Sequence, residues 1–117
     1  MSTLTPVIAS GSANGRLIKV GQVETPGTLI HTAVTGTTSI DQIVVYACNT
    51  GTATQKLTIE WGGTTAPDDL IEVGIAGESG LVLVVPQLRL NNGAVVRAFA
   101  AAANVVNIAC TVDRWTP

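Results

Sequence analysis

Ile40-Asp41-Gln42-Ile43-Val44-Val45-Tyr46-Ala47-Cys48 is the stretch that decides the fold class of this chain. Side chains alternate across an extended strand, so Ile43, Val45 and Ala47 share one face while Val44, Tyr46 and Cys48 share the other, and both faces are largely apolar. A β-branched run of this kind, closed by the turn signal Asn49-Thr50-Gly51, reads as a central strand. The next segment, Gln55 to Trp61, alternates Leu57, Ile59 and Trp61 with Lys56, Thr58 and Glu60. That pattern predicts a half-buried antiparallel strand with one wet face.

Working outward, Arg16 to Gln22 is periodic and ends near Thr25-Pro26-Gly27, and Thr28 to Val34 forms a short strand closed by Thr35-Gly36-Thr37-Thr38. Beyond the loop Gly62 to Asp69 come a strand at Leu70 to Ile75 and a turn at Gly77 to Gly80. Leu81 to Val85 is an unbroken apolar run stopped by Pro86, which cannot donate to a ladder and marks an edge, a bulge or a strand end. Asn91-Asn92-Gly93 reads as a hairpin-type turn before Ala94 to Ala100, and Asn104 to Val112 closes the series. Ala101 to Ala103 has helical propensity but is too short to stand as a helix between two β-patterned runs. About eight short strands with regular turn signals predict a single all-β domain over residues 1–117, an antiparallel β-sandwich or jelly roll. Residues 1–15, rich in Ser, Thr, Ala and Gly, read as a flexible N-terminal arm, either a disordered tail or a segment that orders on a neighbour.

Composition narrows the function. Hydrophobic residues make up 46% of the chain and charged residues 12%, the latter about half of the ~25% usual in soluble domains. A small monomer normally covers its large surface with charge, so the deficit predicts a surface hidden in an assembly. An apolar edge at Leu81 to Val85 would aggregate if bare, and a second subunit is the simplest cover. The formal charge of -2 and scattered Lys and Arg argue against nucleic-acid binding by phosphate neutralisation. No apolar stretch approaches the ~20 residues of a membrane span, and Met1 to Pro6 lacks the pattern of a signal peptide, so synthesis in the cytoplasm is expected.

The residues carry little chemistry. His31 is the sole histidine, so any hydrolytic triad would need it, and its place in Thr28 to Val34 reads as a surface or strand-end position. No acyl-transfer, phosphate-cradling or calcium-loop spacing occurs, and Asp68 and Asp69 read as solvated loop carboxylates. Cys48 and Cys110 read as reduced, buried hydrophobes, since a disulfide would need neighbouring strands with facing Cβ atoms, and two cysteines without a nearby His are too few for zinc. No enzyme, cofactor, metal or small-molecule substrate is expected. Trp61 and Phe99 are assigned to the core; Trp115 either folds back on it or anchors a neighbour. A carbohydrate-binding sandwich would use Trp115 and the loop Gly62 to Asp69, but four aromatic residues are few for sugar stacking.

The succession Val45-Tyr46-Ala47-Cys48-Asn49-Thr50-Gly51, then Gln55 to Trp61, then Gly80-Leu81-Val82-Leu83-Val84-Val85-Pro86, then Leu88 to Ala100 and Asn104-Val105-Val106-Asn107-Ile108 resembles the small virion structural proteins of tailed bacteriophages over roughly Gly36 to Val112. The resemblance implies a non-enzymatic capsid decoration or cement subunit, typically a homotrimer that bridges capsomers of the major capsid protein on the virion. It also covers head-to-tail, tail and fibre-base components. No catalytic residue is carried over. The interface expected for such a role comprises Thr3, Leu4, Pro6 and Val7 of the arm, the strand Leu81, Val82, Leu83, Val84 and Val85, and Trp115.

Overall fold

The computed structural model describes residues 2–117. Its organising strand is β4 (Ile40–Asn49), in which Asp41, Ile43, Val45, Ala47 and Asn49 are buried while Ile40, Gln42, Val44, Tyr46 and Cys48 remain half-exposed. Eight further strands surround it: β1 (Thr3–Ile8), β2 (Ile18–Lys19), β3 (Thr28–Thr32), β5 (Gln55–Trp61), β6 (Leu70–Ile75), β7 (Val82–Leu90), β8 (Val95–Ala100) and β9 (Val106–Thr116). All pair antiparallel, in two sheets ordered β1-β9-β4-β7 and β3-β8-β5-β6, with β2 adding to β9 beside β1. From β2 onward the chain alternates between sheets, and β5–β6 is the one hairpin within that run. Two packed antiparallel sheets crossed in this way form a jelly roll.

Between the sheets lie Ile30, Ile43, Val45, Ala47, Leu57, Ile59, Val85, Val96, Ala98, Val106 and Ile108, each essentially inaccessible to water. The centrality expected of Ile40 to Cys48 is met by β9 on one side and β7 on the other. Its second apolar face, however, looks outward rather than into a second layer.

Several expectations need correction. The nine strands accord with the about eight expected, but the N-terminal arm is not wholly free: Thr3–Ile8 pairs along β9 from Thr111 to Thr116. The periodic segment Arg16 to Gln22 yields only the two residues of β2, which pair Ile108 and Asn107 of β9 next to the stretch that β1 occupies. Asn91-Asn92-Gly93 is a turn, with positive φ at Asn92 and Gly93, but not a hairpin: β7 and β8 lie in different sheets, and the turn instead donates to Gly36 and Val34 carbonyls. Of the three readings of Pro86, edge and bulge hold and strand end does not: β7 is the edge of its sheet and runs on to Leu90, with register shifts against β4 on either side of the Val44–Val45 pair. Trp61 packs on the core while partly exposed, but Phe99 points outward with Thr58, its neighbour in the ladder. The face expected to be wet on β5 is so only at Lys56: Thr58 and Glu60 are buried.

Candidate functional site

Two features stand apart from an ordinary sandwich: a polar cluster buried between the sheets and an apolar face left outside them. The cluster begins with a parity conflict. Asp41 lies on the inward side of β4, Arg114 continues the inward series Val106, Ile108, Val112 of β9, and a bulge in β3 between Leu29 and His31 turns His31 inward beside Val96. His31 and Asp41 are 1% and 0% exposed, so the expected surface position for His31 is overturned. Burial of polar groups is tolerable only when they are bonded, and these are. The Arg114 guanidinium donates twice to Asp41, Nε to Oδ1 at 2.7 Å and an Nη to Oδ2 at 3.0 Å. His31 Nε2 lies 2.8 Å from Asp41 Oδ2, which also accepts the Val34 amide at 3.0 Å.

On the other side of the ring, His31 Nδ1 accepts the Ser10 amide at 3.0 Å. The network therefore assigns the neutral tautomer with hydrogen on Nε2, donating to Asp41. Ser10 Oγ is 3.3 Å from Nδ1 and accepts the Thr32 amide at 2.6 Å. Serine, histidine and aspartate thus follow one another as in a hydrolytic relay, but a general base needs a lone pair aimed at its nucleophile. Here the Nδ1 lone pair is taken by a backbone amide. The arrangement acts as a clasp: it joins β3 of one sheet to β4 and β9 of the other and ties down the segment after β1. Gly11 completes it, donating to the Ile30 carbonyl at 2.9 Å, and a Cβ there would sit 2.2 Å from the Leu29 carbonyl oxygen. Burial pushes the Asp41 carboxyl up, but the bonds from Arg114, His31 and the Val34 amide outweigh it and hold the group below its ordinary value. Its bond to Asp41 raises Arg114 in turn.

The second feature is the outer face of β1-β9-β4-β7. Register places Leu4, Trp115 and Ile40 in one row across it, Pro6, Asp113, Gln42 and Arg89 in the next, then Ile8, Thr111, Val44 and Pro86, then Ala109, Tyr46 and Leu83. Leu4 is 55% exposed, Ile8 57% and Leu83 50%, and Leu81 just before β7 is 57% exposed. Both edge strands of this sheet carry a proline, Pro6 in β1 and Pro86 in β7, which discourages strand addition at either edge. The broad face is what remains available for contact.

Of the residues expected at an interface, Leu4, Pro6, Leu83 and Trp115 lie on this face, and Thr3 and Leu81 are exposed near its ends. Val7, Val82 and Val84 pack partly on the core, and Val85 is wholly inside it. Tyr46, Val44, Ile40, Asp113 and Arg89 complete the face, although sequence reasoning did not single them out for it. Cys48 and Cys110 are free; Cys48 is paired with Asn107 on the outer side and Cys110 with Val45 on the inner side, so opposite faces keep them apart. Burial pushes the Cys110 thiol up to about 12. Asp69 turns back to accept the Thr65 amide at 3.0 Å, and among the described residues no three His, Cys, Asp or Glu side chains converge on a cation site. The chain matches no known protein family, no curated protein and no solved structure.

Proposed function

We propose that this chain is a non-enzymatic structural subunit that works by protein–protein association, and specifically a bacteriophage virion protein that decorates and cements the head by bridging capsomers. The observation that carries the reading is the uncovered, nearly charge-free outer face of β1-β9-β4-β7, with Leu4, Ile8 and Leu83 at least half exposed. Contiguous apolar surface of this breadth marks contact sites with other proteins. The jelly-roll strand order suits the reading, being a frequent architecture of viral capsid proteins, although fold alone does not carry function. Its partners are further copies of the chain and the major capsid protein, and its effect is added shell stability by mass action across many weak sites. A head-to-tail, tail or fibre-base component is the second reading, favoured by the same face.

Immunogold labelling with an antibody against the chain tests this on virus particles prepared from the source of the sequence. Label over heads is the expected result, and label at necks or tails selects the second reading. Particles free of label would overturn both.

A further inference from the structure

Deepening the association reading, and resting on it, we infer that the outer face of β1-β9-β4-β7 seats a second copy of the same chain about a two-fold axis running along β4, each Asp113 facing the other copy's Arg89. The argument starts from charge. Across β9, β4 and β7 the registered rows hold one acid, Asp113, and one base, Arg89, and neither has an ionic partner among the described residues; the other base on this side, Lys19 of β2, is registered to Asn107 two strands from β4, outside the overlap. Asp113 and Arg89 are both registered to Gln42 of β4, one on each side. They therefore sit on a single row, roughly 10 Å apart, at equal distances from the central strand.

That placement is self-complementary under one symmetry operation. Rotation about a line parallel to β4, lying between two facing sheets, exchanges the β9 side for the β7 side while keeping each residue's height along the strand. Asp113 of each copy then lies over Arg89 of the other, twice, as an isologous contact requires. Rotation about a line across the strands would instead set Asp113 on Asp113 and Arg89 on Arg89, which is repulsive. The ~30° tilt of aligned sheets moves a residue one strand spacing off the axis by only about 2.5 Å, so the pairs survive it.

About that axis β9, β4 and β7 of one copy lie over β7, β4 and β9 of the other, and β1 falls outside the overlap; ten residues of β4 by three strands span roughly 34 by 14 Å, about 490 Å² per partner before side-chain relief, the size of a weak, reversible contact. Tyr46 lies next to the axis and Trp115 beside it, the residue types that dominate association energy. Gln42, bonded to Gln87 at 3.0 Å, lies between the two ion pairs.

Sedimentation equilibrium and light scattering over a range of concentrations test the pair on the full chain. A reversible species of about 24 kDa, twice the 12.0 kDa of one chain, is expected. Arg89→Asp and Asp113→Arg should each weaken it by at least roughly tenfold, since each sets like charges face to face. Mixing the two variants should restore the wild-type affinity as a heterodimer, because both contacts then become attractive. The neutral pair Arg89→Gln and Asp113→Asn, each weakening association less than its charge reversal, covers the case in which a reversal fails to fold. A monomer at every concentration, a trimer, a dimer indifferent to either reversal, or no recovery on mixing would each overturn the inference. A monomer that still labels virus heads would sink the pair and leave the virion reading standing; a well-behaved pair whose antibody labels no particle would do the reverse.

Discussion

The outer sides of the two sheets are opposites. On β3-β8-β5-β6 that side carries Lys56, Glu60, Glu72 and Arg97, and the chain roofs it with its own residues 22–27. The Gly27 amide donates to Glu60 Oε1 at 2.6 Å, Thr25 Oγ1 donates to Glu60 Oε2, Arg97 donates to the Gly27 carbonyl at 3.2 Å, and the Ala100 amide donates to the Gln22 carbonyl at 3.1 Å. Glycine is required at 27 because a Cβ would meet the Ala98 backbone at 2.5 Å. Beside the roof, Lys56 and Glu72 pair in solvent at 2.7 Å. On β1-β9-β4-β7 the corresponding side is largely apolar, and among the described residues no comparable hydrogen-bonded loop roofs it. A molecule that buries Glu60 completely while leaving Leu83 half in water has used its own loop to satisfy polar groups and left an oily surface open. The contrast teaches that exposure here follows what each face is sealed by, more than what it is made of.

The most severe way to break that contrast is to release the clasp that holds the sheets together. Asp41→Ala leaves His31 and Arg114 without their shared acceptor and should cost about 3–5 kcal/mol, measured by denaturant unfolding; a loss below 1 kcal/mol would show the clasp to be dispensable. Acid probes the same group more gently. A carboxyl held below its ordinary value of 3.8 stabilises the fold above that pH, and the contribution disappears as pH falls through the lowered folded value. Wild-type protein should therefore lose stability more steeply than Asp41→Asn below about pH 4, as read by the melting temperature across an acid series. Parallel curves for the two proteins would contradict the bonding described.

Milder changes sharpen the comparison of the faces themselves. Glu60→Ala removes the acceptor beneath the roof and should cost about 1–3 kcal/mol, with faster hydrogen exchange at the Gly27 amide; protection unchanged at that amide would mean the roof holds without Glu60. Smallest in stability is Leu83→Lys on the bare face. It should shift unfolding by no more than about 0.5 kcal/mol yet weaken association measured by light scattering. Equal damage to folding and assembly would place Leu83 in the core instead.

Much of the architecture is written in local patterns. The alternation of β4 and β5, the turn chemistry at Asn49-Thr50-Gly51 and the proline in β7 place most strands. What the patterns do not carry is pairing. Nothing within Thr3 to Ile8 says that β9 will accept it, and nothing in Asn91-Asn92-Gly93 says that the strands it joins will part into separate sheets. The clasp does carry a signal in the sequence: Asp41 shares parity with Ile43, Val45 and Ala47, and Arg114 with Val106, Ile108 and Val112, so two charges face inward on apolar faces. Their convergence on His31 depends on the β3 bulge, which reverses that histidine's side and leaves no trace in composition. Glu60 was invisible for a similar reason, since the loop that covers it is distant in sequence.

The place of β9 also bears on the order in which the molecule can be made. Val106–Thr116 follows every other strand in the chain, yet it lies between β4 and the β1–β2 edge. While a ribosome has delivered residues only as far as Ala100, the sheet β3-β8-β5-β6 has all its strands, but its counterpart exists only as β4 with β7, and β1 and β2 have nothing to pair with. Arg114 is also missing, so Asp41 waits in the forming core without its strongest donor. Such long-range closure is slow and comes late. The broad apolar face therefore does not exist as a surface until β9 has docked, and it comes into being only as the nascent chain completes its fold.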